Sequence, residues 1–163
     1  MSVQENSGFT LIELVGVITI LGILAATAIP KFVDVGKQTR IAALESLSGT
    51  LVTAANQTRL LCIVKAAASG CDVDNKSWIS KIEGKNYWLN NGWPDAGDTI
   101  NNGQIDAMID YSGFQAKIPS PSFTRFELTG APNPVLCSVS YFDAWHTTSV
   151  PQLYRIQIDN SGC

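Results

Sequence analysis

Lysine and arginine are missing from the first 30 positions of this 163-residue chain, and histidine is almost missing from all of it. His146 is the only imidazole, so a Cys or Ser nucleophile has one candidate base, placed in a Ser/Thr-rich loop where solvation is its expected fate. The four cysteines, Cys62, Cys71, Cys137 and Cys163, form none of the close C-x-x-C pairs that a zinc site wants. Charge is scarce too. With 15% charged residues, a net charge of −3 and no basic cluster, the chain is a poor match for nucleic acid. These gaps argue against an enzyme and against a cofactor or metal; the expectation is none of them.

What is abundant is apolar surface: 45% of residues are hydrophobic, and they crowd toward the N-terminus. From Phe9 to Ile29 the only charged residue is Glu13. A helix over that stretch, rising about 1.5 Å per residue, covers roughly 30 Å, the hydrocarbon thickness of a bilayer. A carboxylate near the centre of such a helix costs about 2.5 to 3.5 kcal/mol on insertion scales, so Glu13 should have a partner or a route to the interface. A cut after Gly8 would create one: the new ammonium at Phe9 of a neighbouring copy could neutralise it.

Farther along, Pro30 should kink the helix by removing a backbone donor, and Gly22 and Gly36 are weak points in it. From Asp34 to about Ala68, Ile41, Leu44, Leu47, Leu51, Ala54, Ala55, Cys62 and Val64 mark one stripe of an amphipathic helix, stopped by Ser69-Gly70. No second long helical pattern follows, so the stripe should pack on a sheet. The next segments are short. Asp72 to Ser77 reads as a loop, Trp78 to Ile82 as a helical turn or extended piece, and Asn86 to Leu89 as a strand entering the turn Asn90-Asn91-Gly92. Trp93 to Asp98 looks irregular, and Gln104 to Tyr111 should form two helical turns ended by Gly113. The better strands are Phe123–Leu128, Val135–Tyr141 and Tyr154–Ile158. Their alternation puts Thr124, Phe126 and Leu128, then Val135, Cys137, Val139 and Tyr141, then Tyr154, Ile156 and Ile158 each on one face. The sum is an α+β chain, a long N-terminal helix on a small antiparallel sheet.

Four cysteines allow three pairings. Position favours Cys62 with Cys71, pinning the helix end, and Cys137 with Cys163, tying down the last residue. Asp72-Val73-Asp74-Asn75 lacks the Gly and distal Glu of a calcium loop. Asn56 and Asn75 match the N-glycosylation pattern by coincidence, and Trp78, Tyr87, Trp88 and Trp93 read mostly as core.

The run Gly8-Phe9-Thr10-Leu11-Ile12-Glu13-Leu14-Val15, followed by Ile20 to Phe32, resembles the processing and assembly motif of type IV prepilins. Ala28 to Asp34, Asn91 to Asp98, and Cys137 to Tyr141 with Asp159 to Cys163 look like the mannose-sensitive haemagglutinin (MSHA) type IVa pilins. The resemblance implies a leader, residues 1–8, cut by prepilin peptidase between Gly8 and Phe9, with N-methylation of Phe9. It implies a transmembrane and assembly helix over residues 9–33 and a head over 34–163, together the ladle fold. Glu13 would guide subunits into the filament, and the region of Pro30 would bend on assembly. Asp95, Asp98 and Asp106 correspond to a loop that holds calcium in some secretion pseudopilins, but are read here as a solvated acidic loop. The leader departs from the family in carrying no Lys or Arg, so orientation rests on the motif.

The implied partners are further copies in a helical homopolymer, prepilin peptidase, the assembly platform and the inner membrane. The head would sit in the periplasm and then outside the cell on a filament serving adhesion, surface attachment or biofilm formation, with the bound surface or receptor unspecified. A minor pilin or a type II secretion pseudopilin is the alternative, and a membrane-anchored binding domain is the alternative of another class.

Overall fold

The computed structural model describes residues 9–69, 76–82, 85–97, 103–144 and 153–163. The chain divides into two compact units, residues 1–39 and 40–163. Its class is α+β: helix α1 (Leu11–Ser69) precedes two small antiparallel sheets.

The first unit is helical from Leu11 onward. Leu11–Ile29 has a mean hydropathy of 2.3 and none of it is buried, a stretch long and apolar enough to cross a membrane. Its hydroxyls do not need outside partners. Thr19 donates to the carbonyl of Val15 and Thr27 to that of Leu24, which satisfies polar groups inside an apolar segment. The backbone remains helical through Pro30.

In the second unit α1 supplies one wall of the core. Leu44, Leu47, Leu51, Ala55 and Cys62 are buried, with Ile41 and Ala54 packed at the margin. Val64, expected on this stripe, is instead 79% exposed. Two residues past Cys62 is about 200° around a helix, which takes it off the buried side. Thr58 takes the vacant stripe position between Ala55 and Cys62, its hydroxyl donating to the Ala54 carbonyl at 2.7 Å.

The three-stranded sheet runs β1 (Lys76–Ile82), β2 (Lys85–Asn90) and β3 (Trp93–Pro94). Of the two options for Trp78 to Ile82, the extended one holds. The tight β2–β3 hairpin turns at Asn91 and Gly92, with φ of 52° and 75°. Two positive φ values match the twist of flanking strands and explain the Asn-Gly pair. Asp72 to Asn75, most of the expected first loop, lies outside the described residues.

The four-stranded sheet is a meander: β4 (Phe114–Ser120), β5 (Phe123–Leu128), β6 (Ser138–Phe142) and β7 (Arg155–Asp159), in that spatial order. Strand β4 was not anticipated. It is an edge strand burying little besides Ala116, and its register slips between Lys117 and Ser120, around Pro119. An edge tolerates proline where a central strand does not.

Two expected segments are corrected. Gln104 to Tyr111 holds one 3₁₀ turn, Ile105–Met108, rather than two α-turns. The strand expected from Val135 begins only at Ser138. Pro134–Leu136 forms a 3₁₀ turn, because proline favours the first turn of a helix. Val135 is therefore 46% exposed, and Ile158, expected on the packed face, is 38% exposed on the edge strand β7.

The inward faces agree with alternation elsewhere. Thr124, Phe126, Cys137, Val139 and Tyr141 are buried, and Phe126, Val139 and Tyr141 share one core with Leu44, Leu47 and Leu51. The helix stripe and the sheet thus cover each other's apolar surface, about 25 cal/mol per Å² removed from water.

Candidate assembly site

The N-terminal end of α1 carries a reciprocal set of hydrogen bonds. Thr10 precedes the helix, and its backbone N–H and hydroxyl donate to Glu13 Oε2 at 2.8 and 2.7 Å. In return the Glu13 N–H donates to Thr10 Oγ1 at 3.4 Å. This is a capping box, in which a Thr at the N-cap and a Glu three residues on satisfy each other's backbone donors. The helix begins at Leu11 for that reason, two residues later than the apolar run suggests.

Sequence reasoning sought a partner for Glu13 only on a neighbouring copy and missed this one. The signal was present in the spacing Thr10-x-x-Glu13. Phe9, before the cap, is 86% exposed. Gly8 lies outside the described residues, as do residues 1–7. Pro30 lies within α1.

The second unit has its own fastening. Cys137 and Cys163 form a disulfide with a Cα–Cα distance of 4.9 Å. Arg40 donates from Nε to the Cys163 carbonyl at 2.7 Å, tying the end of this segment to the helix. Gly162 donates to the Leu136 carbonyl at 2.8 Å, and a Cβ there would lie 2.6 Å from Leu136 Cβ and 2.7 Å from the Asn133 oxygen. Only glycine fits so close an approach. Cys62 is buried and disulfide-bonded; Cys71, its expected partner, lies outside the described residues.

The acidic loop is not the solvated one expected. Asp95 is 4% and Asp106 2% exposed, while Asp98 is outside the described residues. Asp95 is held by Asn90, whose Nδ2 donates to Asp95 Oδ1 at 2.7 Å and to Asp143 Oδ2 at 3.3 Å. Around this amide, Tyr141 donates to the Pro94 carbonyl at 2.8 Å and Thr124 to that of Ala96. Hydrogen bonds are what allow polar groups to be buried, and those from Asn90 hold Asp95 and Asp143 inside the second unit. Among the described residues no three His, Cys, Asp or Glu side chains gather as metal ligands. Tyr87 and Trp93 are buried and Trp88 partly so. His146 falls outside the described residues.

No curated protein and no solved structure matches the chain. Residues 4–29 match the family model described as the prokaryotic N-terminal methylation motif, which supports a type IV prepilin-like protein.

Proposed function

We propose that this chain is the structural subunit of an MSHA-like type IV pilus. The observation that carries the proposal is the methylation motif over residues 4–29, coinciding with an unburied apolar helix whose single carboxylate, Glu13, sits at its start. In this reading the chain waits in the inner membrane with its head in the periplasm. Prepilin peptidase cuts between Gly8 and Phe9 and methylates Phe9, and the assembly platform extracts the subunit into a helical homopolymer.

Glu13 then exchanges its own cap for the Phe9 ammonium of an adjacent copy, a charge pair that an apolar surround makes strong. Pro30 marks where the packed helices bend. The heads coat the fibre, and the segment between Cys137 and Cys163 borders the surface that attaches cells. The disulfide supports placement in an oxidising compartment. The task is structural rather than catalytic.

Glu13→Ala tests the reading. Surface filaments should disappear while the amount of chain in the membrane stays at the wild-type level. Filaments as abundant as in wild type would contradict the proposal.

A further inference from the structure

Among the described residues every cysteine is held in a disulfide, so those sulfurs are already oxidised. Of the two methionines, Met1 precedes the proposed cut. Met108 is the thioether that a cut chain would keep.

Met108 closes the 3₁₀ turn Ile105–Met108, which Ile105 anchors by full burial. Its own side chain is partly buried against the core. It also lines an open hollow of about 470 Å³ with Ser46, Gly49, Thr50 and Thr53 of α1. A Cβ at Gly49 would meet nothing within 4 Å, so that wall leaves room for a small molecule. Met108 thus stands between core and solvent.

The donors around the sulfur are committed elsewhere. Thr58, 4% exposed, places its hydroxyl 3.4 Å from Met108 Sδ, but the same hydroxyl lies 2.7 Å from the Ala54 carbonyl. A thioether is a weak acceptor and loses that competition. Thr50 and Thr53 likewise donate to the carbonyls of Ser46 and Gly49, at 3.1 and 2.8 Å. These hydroxyls are turned back onto their own helix. The arrangement suits an apolar sulfur and not a polar oxygen.

We propose that Met108 is a reversible oxidation site of the folded chain, and that its sulfoxide loosens the 3₁₀ turn from α1. Hydrogen peroxide enters the hollow, and a sulfur lone pair attacks one of its oxygens. An S–O bond forms, the O–O bond breaks, and the other oxygen leaves as water. Sulfur gives up two electrons and the peroxide takes them. The new oxygen is a strong acceptor. It must draw a hydroxyl proton from a helix carbonyl or turn to water in the hollow, because a polar group without a partner at the core margin is costly. Either way the sulfur leaves its packing beside Thr58. The geometry belongs to the second unit, so the inference is independent of the filament reading.

Peroxide treatment of the full-length chain in detergent, followed by peptide mass mapping, tests this. Met108 in the folded chain should oxidise within about tenfold of its rate in the urea-unfolded chain, since susceptibility follows exposure. The oxidised chain should melt about 2 to 4 °C lower, and methionine sulfoxide reductases should restore both mass and melting point. Met108→Leu conserves volume, so it should keep the starting melting point and show no fall after peroxide. Protection of Met108 beyond about tenfold would overturn the proposal, as would an oxidised chain that melts like the untreated one. So would a fall that the reductases do not reverse, or one that persists in Met108→Leu. Should that variant not accumulate, reductase reversal in the wild-type chain decides alone.

Discussion

Tyr141 shows how a single residue sets the behaviour of the head. It is fully buried, its hydroxyl donates to the Pro94 carbonyl, and Phe126 and Val139 share its core. Burial first, then the negative charges of Asp143, Tyr154 and Asp95, push its hydroxyl well above the ordinary 10.0. Tyr154, stacked on it with ring centres 5.6 Å apart, is pushed up by burial as well. In the unfolded chain the phenol ionises first as pH rises past about 10, so it is the unfolded state that gains. The stability these neutral phenols supply is complete below pH 10 and is lost above it. Denaturant unfolding of the detergent-solubilised chain should therefore weaken on the alkaline side. Tyr141→Phe should shallow that decline while costing about 1 kcal/mol at neutral pH for the lost hydrogen bond. A decline as steep in the variant as in wild type would locate the alkaline sensitivity elsewhere.

Among the elements, legibility followed the strength of the periodic signal. The apolar run, the stripe of Leu44, Leu47 and Leu51, and strand β5 were readable because three-and-four spacing and two-residue alternation both survive burial of one face. Strand β4 was not. Its inward side offers only Ala116 as a buried residue, and Pro119 argues against a strand in a sequence read without knowledge of edges. The start of β6 was misplaced because Val135 alternates correctly with Cys137 yet belongs to a turn opened by Pro134. At the candidate site the partner of Glu13 was overlooked although Thr10-x-x-Glu13 spelled it out, since a charge in a membrane helix directs attention to other chains.

Two element-scale outcomes follow from the packing. Phe126→Ala, at the centre of the sheet's inner face, should cost about 3 to 5 kcal/mol in urea unfolding. Replacing Cys137 and Cys163 together by Ser should cost about 3 to 4 kcal/mol in the chain-entropy account. That pair closes a loop with a sequence separation of 26 and keeps β7 beside β6. A loss below about 1 kcal/mol would mean that the sheet and Arg40 hold the C-terminal segment unaided.

For the whole molecule, a membrane-length helix with a self-capped carboxylate and the methylation motif over residues 4–29 support the proposal of a subunit that packs with copies of itself. Electron microscopy of surface fibres sheared from cells, with intact-mass analysis of their main protein, tests that claim most directly. The account predicts fibres made of this chain, with a mass corresponding to a start at N-methylated Phe9. Fibres lacking this chain, or a surface form that keeps residues 1–8, would contradict it.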